Sequence, residues 1–185
     1  MIRKVVALIM LMISLASCAS NNLKNEESIG YVAADGSAVL RDVLERGPVI
    51  ELAGKLLDGT GWKLSDYRGQ VLILNAWGPW CAPCRTEVPR LQELLNKKSP
   101  EGLKVFGFAT RTNESAVNAF TAKYEISIPQ IADFDSAVIS QIPGVPSATV
   151  PGTIFIDKKG RVAGFALGAA DISLIRSLTE SLLEE

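Results

Sequence analysis

Val71-Leu72-Ile73-Leu74-Asn75-Ala76-Trp77-Gly78-Pro79-Trp80-Cys81-Ala82-Pro83-Cys84-Arg85-Thr86-Glu87-Val88-Pro89 is the stretch that decides the fold. Val71 to Ala76 is apolar on both faces, the pattern of a strand in the middle of a parallel sheet. From Ala82 to about Lys98 the residues Val88, Leu91, Leu94 and Leu95 recur on one side of a helix, with Pro89 inside it as a kink. Cys81 and Cys84 stand at the junction. Two thiols so spaced at a helix start can close a small disulfide ring. The positive end of the helix favours a thiolate on the first of them near neutral pH. This is the equipment of dithiol–disulfide exchange. The other reading is a structural bridge, which would be a poor staple, because so short a loop constrains the unfolded chain little.

Composition narrows the chemistry. The chain has 185 residues, 48% of them apolar, enough for one domain with a real core. Its formal charge of −1 carries no footprint of nucleic-acid binding. Histidine is absent, which excludes His-dependent triads, His metal sites and a Cys-x-x-Cys-His haem attachment. Three cysteines, Cys18, Cys81 and Cys84, are too few for a four-sulfur zinc cage. Asp133 and Asp135 flank Phe134 in a loop and read as solvated caps, so no metal is assigned.

Residues 1–17 read as an address. Arg3 and Lys4 form a basic n-region and Val5 to Leu15 an apolar h-region, shorter than the roughly 20 residues that span a bilayer. Leu15-Ala16-Ser17-Cys18 is similar to a bacterial lipobox, which implies a diacylglycerol on the Cys18 sulfur and cleavage before it. An ordinary signal peptide that leaves or removes Cys18 is the alternative. A lipidated Cys18 places the protein on the extracytoplasmic face of the cell membrane, and two acyl chains suffice for a stable anchor. The polar residues 18–36 then read as a flexible tether, with a reach of about 20–25 Å. The domain proper is expected over residues 37–185.

Within it, Ser37 to Arg46 carries Val39, Leu40, Val43 and Leu44 at helical spacing and predicts a short helix ended by Gly47-Pro48. Val49 to Leu57 predicts a strand, and Asp58 to Gly61 a turn into Trp62-Lys63-Leu64. Leu103 to Ala109 predicts a second long strand, parallel to the first across the helix. Asn113 opens a helix through Tyr124, with Val117, Phe120 and Tyr124 on its buried stripe. Ile128 to Ala132 reads as a short strand and Ser136 to Ile142 as a short helix. Thr153–Asp157 and Val162–Phe165 read as strands joined through Lys158-Lys159-Gly160-Arg161, and Asp171 caps a last helix through Leu183. The order implies an α/β fold: a mixed central sheet with helices on both faces and an N-terminal strand or hairpin extension.

Trp-Cys-x-x-Cys after a buried strand, a proline five residues beyond Cys84, and Val150-Pro151 ahead of a late strand together resemble a three-layer thioredoxin fold. More narrowly, Leu74 to Trp77 with Cys84 to Pro89, and Val150 to Arg161, resemble the TlpA/ResA-like membrane-anchored thiol–disulfide oxidoreductases. The resemblance runs from about Val49 to the C-terminus. It implies that Cys81 is the exposed nucleophile and Cys84 the resolving thiol, with the Cys81–Cys84 disulfide as the redox group and no further cofactor. It also implies a cis Pro151, with the backbone of Val150 pairing an incoming client as an edge strand would. A trans proline at a strand start is the plain alternative. Where the family often has threonine after this proline, Gly152 departs from the pattern. Glu87 falls near the thiols and implies an acid that raises their pKa and relays a proton; its plain alternative is a first-turn acid favoured by the helix dipole. Asn75 stands where thioredoxins carry a buried acid. Trp80 reads as rim, Trp77 as core, and Pro83 as compatible with a first helical turn.

The resemblance implies a disulfide reductase acting on client proteins, apocytochrome c among them, recharged by a membrane donor of the CcdA type. An oxidase that folds secreted proteins uses the same residues in reverse, and the reduction potential separates the two. A peroxiredoxin typically has Thr-x-x-Cys, whereas Gly78 stands three residues before Cys81. A non-catalytic binding module with an inert disulfide is the remaining alternative.

Overall fold

β4, Val71–Trp77, is buried at all seven residues and forms the centre of the structure. The computed structural model describes residues 36, 38–145 and 149–185; the expected signal peptide, Cys18 and most of the expected tether lie outside them. Among the described residues the other strands are β1 Ala38–Leu40, β2 Ala53–Lys55, β3 Gly61–Lys63, β5 Leu103–Ala109, β6 Gln130–Ala132, β7 Gly152–Ile156 and β8 Val162–Leu167. The α-helices are α1 Cys84–Lys98, α2 Glu114–Lys123 and α3 Ile172–Glu184. Six strands form one sheet in the order β1-β8-β7-β4-β5-β6, and β2–β3 form a separate hairpin.

β4 pairs with β5 in parallel, Val71↔Leu103 through Trp77↔Ala109, as its apolar run predicts. Its other neighbour, β7, is antiparallel, with Leu72↔Ile156 through Ala76↔Gly152, and β7 turns back into β8 as a hairpin. Side chains alternate across a strand, and this alternation separates two apolar layers. Val71 and Ile73 face α1 and α3 through Leu91, Leu94, Ile175 and Leu182. Leu72, Leu74 and Ala76 face Trp62 of the hairpin and the short 3-10 segments Leu64–Tyr67 and Ile139–Gln141. Further along the first face, Trp77, Cys81, Cys84 and Val88 pack with Val117 and Phe120 of α2. The α-helices thus share one face, and of the helices expected on both faces only 3-10 turns stand on the second, where with the hairpin they complete the third layer.

Caps stand where the sequence puts them. Asn113 accepts from the Ala116 N–H at 3.0 Å, and Asp171 from the Ser173 N–H at 2.7 Å. Other expectations need correction. Of the helix expected from Ser37 to Arg46, Ala38–Leu40 is instead the edge strand β1, paired to β8 through Ala38↔Ala166 and Leu40↔Gly164, residues 41–46 are loop and turn, and Ser37 lies outside the described residues. Gly164 permits that approach, since a Cβ there would lie 2.2 Å from the Val39 carbonyl oxygen. Val43 and Leu44, expected on a helix stripe, are exposed. The strand expected from Val49 narrows to Ala53–Lys55, flanked by single bridges Val49↔Arg161 and Leu56↔Ile131. Tyr124 is exposed against Phe120 rather than buried, and the helix expected from Ser136 is the 3-10 turn Ile139–Gln141. Asp133 is buried and not solvated: it accepts from the Val138 and Ile139 N–H groups at 2.8 and 2.9 Å.

One polar cluster ties the ends of this unit together. The buried Arg46 guanidinium lies 3.1 Å from Asp157 and 2.6 Å from Glu185, and Asp157 also accepts from Arg161 Nε at 2.7 Å.

Candidate active site

The C-terminal end of β4 delivers the chain to the start of α1 through Gly78-Pro79-Trp80. Pro83 occupies the N-cap position with helical backbone angles, so its missing N–H costs nothing there. Cys84 is the first helical residue. Its N–H points at Cys81 Sγ, 3.3 Å away, so one of the orphan donors of the helix start is aimed at the sulfur. Cys81 and Cys84 are joined in a disulfide, S–S 2.05 Å, with their Cα atoms 5.3 Å apart. Cys84 is fully buried. Cys81 is only 5% exposed, less than the sequence reading expects, because its sulfur turns inward to bond Cys84.

The rim is asymmetric. Trp80 is 49% exposed, donates from Nε1 to the Thr110 carbonyl at 3.2 Å, and carries the Arg111 guanidinium 4.5 Å over its ring. Its indole occupies the space beside Gly78, where a Cβ would fall 2.4 Å from Nε1. On the other side the Val150–Pro151 peptide is cis, and Val150 packs against the cysteine cluster. Gly152 follows; a Cβ on it would lie close to the Thr149 carbonyl oxygen, at 3.0 Å.

One helical turn on from Cys84 lies a polar triangle. Glu87 is 6% exposed, in the first turn of α1 and on the same face as Cys84. Asn75, 2% exposed, donates to Glu87 Oε1 at 2.7 Å and to Thr153 Oγ1 at 3.1 Å. Thr153 donates to the same Oε1 at 3.2 Å. Burial pushes the Glu87 carboxyl above its ordinary pKa, and the hydrogen bonds from Asn75, Thr153 and the Ala170 backbone pull the other way without cancelling it.

Trp77 is fully buried, and its indole N–H is satisfied by Gln130 Oε1 at 2.7 Å. Gln130 lies flat over Gly107, where a Cβ would meet its Oε1 at 2.2 Å. Sequence reasoning brings together Asn75, Trp77, Trp80, Cys81, Pro83, Cys84, Glu87, Val150 and Pro151, and the structure assembles all nine around one end of β4. It misses Thr153, Thr110, Arg111 and Gln130. The alternation of β7 could have shown that Thr153 faces α1, but not which residue it meets.

Residues 45–165 match the AhpC/TSA family. Over 141 residues the chain is 28% identical to the thiol-disulfide oxidoreductase ResA of Bacillus thuringiensis subsp. konkukian, which covers 73% of this chain and 77% of that protein. A secreted thiol-disulfide isomerase from Corynebacterium glutamicum superposes with a TM-score of 0.76 at 30% identity, covering 84% of this chain and 97% of that one. A DsbF homologue from Corynebacterium diphtheriae gives a TM-score of 0.74 at 32% identity, covering 82% and 97%.

Proposed function

From the premise that this chain belongs to the AhpC/TSA family and is a ResA-like protein thiol–disulfide oxidoreductase, we propose that it works as a reductase of client disulfides, held outside the cytoplasm by a lipid on Cys18. The observation that carries the direction is the buried Glu87 on the face of Cys84. A nearby carboxylate disfavours a thiolate and raises the cysteine pKa values. A dithiol whose reduced form gains little from a thiolate gives up its electrons readily; the strong oxidants of this fold have a stabilised reduced form instead.

In this reading Cys81, as the thiolate, attacks a client sulfur and forms a mixed disulfide. Cys84 passes its proton to Glu87 and attacks Cys81 Sγ, which releases the client as a dithiol and leaves Cys81–Cys84 oxidised. The N–H of Cys84 at 3.3 Å supports negative charge on Cys81. Trp80, Val150 and Pro151 form the client-docking rim, while Asn75, Trp77 and Pro83 hold the frame. The disulfide is the redox group, with no metal and no other cofactor. By resemblance the client is apocytochrome c and the electron donor is a membrane protein of the CcdA type. The secreted C. glutamicum relative supports an extracytoplasmic location.

An oxidase that folds secreted proteins is the second reading, because the same two thiols serve both directions and the likeness to a secreted thiol-disulfide isomerase is compatible with it. Equilibration of the protein in glutathione buffers separates the two. A potential near about −270 mV is expected for the reductase, and one near about −120 mV overturns it.

A further inference from the structure

Thr153 lies two residues beyond Pro151 and directly opposite Asn75 in the β4–β7 register. It is 1% exposed. Cross-strand partners project to the same face, here the face that α1 covers, and Glu87 comes down from α1 to meet both. The triangle of 2.7, 3.1 and 3.2 Å contains three polar groups and a countable set of protons.

The Asn75 amide nitrogen carries two hydrogens and accepts none; it gives one to Glu87 Oε1 and one to Thr153 Oγ1. The Thr153 hydroxyl, already receiving one hydrogen, has a single proton to give, and Glu87 Oε1 is its acceptor. Oε1 therefore accepts twice. The hydroxyl oxygen of a neutral carboxyl is the poorer acceptor, so a proton on Oε1 would weaken both bonds at once. The Ala170 backbone N–H also acts on this carboxyl, but neither of these two side chains holds Oε2.

We propose that Thr153, together with Asn75, is a positioning residue that keeps Glu87 Oε1 as an acceptor and confines the exchangeable proton of this carboxyl to Oε2. This rests on the reading of Glu87 as the acid–base group of the site. During turnover the Cys84 thiol gives its proton to Oε2 and its sulfur bonds to Cys81 Sγ. The bond from Cys81 to the client breaks with its electron pair on the client sulfur, which takes a proton from water. Thr153 touches neither thiol nor client. It acts through Glu87, and valine in its place would fill the same volume but donate nothing.

The test is an infrared pH titration of the reduced protein, following the carboxyl C=O band that is absent in Glu87→Gln. Thr153→Val is expected to raise the midpoint of that band by on the order of one pH unit, because a donor to the ionised form is lost. Thr153→Ser, which restores the hydroxyl, is expected to return it to the parent value. Should the valine variant fail to fold, Thr153→Ala also lacks the hydroxyl and gives the same reading. A midpoint that stays put or falls in the variant without a hydroxyl overturns the proposal. The pH profile of insulin reduction is measured alongside. A Glu87→Gln profile identical to the parent overturns the role of Glu87 itself. A changed Glu87→Gln profile beside an unmoved Thr153→Val midpoint overturns only the role of Thr153.

Discussion

Asn75 and Glu87 are twelve residues apart in sequence, and the amide nitrogen of one lies 2.7 Å from the carboxyl oxygen of the other. The bond joins the C-terminal half of the central strand to the first turn of α1, so the buried acid is held by the sheet and not only by its own helix. A carboxyl this deep is costly to ionise, and its hydrogen bonds offset only part of that cost.

The pH dependence of stability follows from that. Folded Glu87 keeps its proton to a higher pH than the unfolded chain does. The full contribution is present below the unfolded pKa and is lost as pH rises through the folded one. Glu87→Gln keeps an Oε1 for Asn75 and Thr153. It is expected to match the parent in Tm near about pH 4 and to exceed it near about pH 8. Equal Tm differences at the two pH values would contradict the raised pKa.

The two cysteines should behave differently. Cys84→Ser is expected to accumulate mixed disulfides between Cys81 and client peptides, visible as an added mass that a reductant removes. Cys81→Ser is expected to lose insulin reduction by roughly 100-fold or more and to trap nothing, since the remaining thiol is fully buried. Trapping through Cys84 in the second variant would reverse the assignment.

Peroxide should be a poor substrate. The space beside Gly78 is taken by the Trp80 indole, so a threonine there has no room without moving the rim. Hydrogen peroxide consumption by the reduced protein is expected to stay near that of a free thiol. A rate several orders of magnitude faster would count for a peroxidatic site.

Gly107 should be intolerant of alanine. Its Cβ would strike Gln130 and cut the 2.7 Å bond to the Trp77 indole, leaving a buried donor unpaired. A loss of about 1–3 kcal/mol in urea unfolding is expected. Gly61→Ala, with nothing within 4 Å of the added methyl group, is the control and should change stability by less than about 0.5 kcal/mol.

Asp157 makes the opposite pH prediction to Glu87. Burial works to raise its pKa, but the Arg161 backbone N–H and the Arg46 and Arg161 side chains outweigh burial and hold the pKa below the ordinary range. Its stabilisation is present above the unfolded pKa and is lost as pH falls through the folded one. Asp157→Asn leaves Arg46 and Arg161 short of a buried partner and is expected to cost about 3 kcal/mol at neutral pH. That difference should narrow in acid, where the parent carboxyl is neutral too; a constant difference from about pH 7 to pH 2 would contradict it.

Legibility in the sequence tracked the range of the interaction. The apolar run of β4, the thiol spacing, the caps Asn113 and Asp171 and the hairpin turn at Lys158–Arg161 are local features, and each was readable within a few residues. Val39, Leu40, Val43 and Leu44 misled for the same reason. Their spacing fits a helix, but the unpaired edge of β8 and the bare Gly164 offered β1 a better partner. Tyr124 also followed the helical period yet fell past the last turn of α2, where it rests on Phe120 and stays partly open to solvent.

By itself, then, the sequence determined a thiol pair at a helix start, behind a buried strand and near a late Val-Pro, because backbone periodicity and helix-end electrostatics act over one or two turns. Only the tertiary structure decided what surrounds that pair. Strand register sets Thr153 opposite Asn75, α1 lowers Glu87 onto both, and Gly107 lets Gln130 reach the Trp77 indole. Those contacts join residues up to 78 positions apart. Their hydrogen-bond geometry is set to tenths of an ångström by packing, which no local pattern encodes.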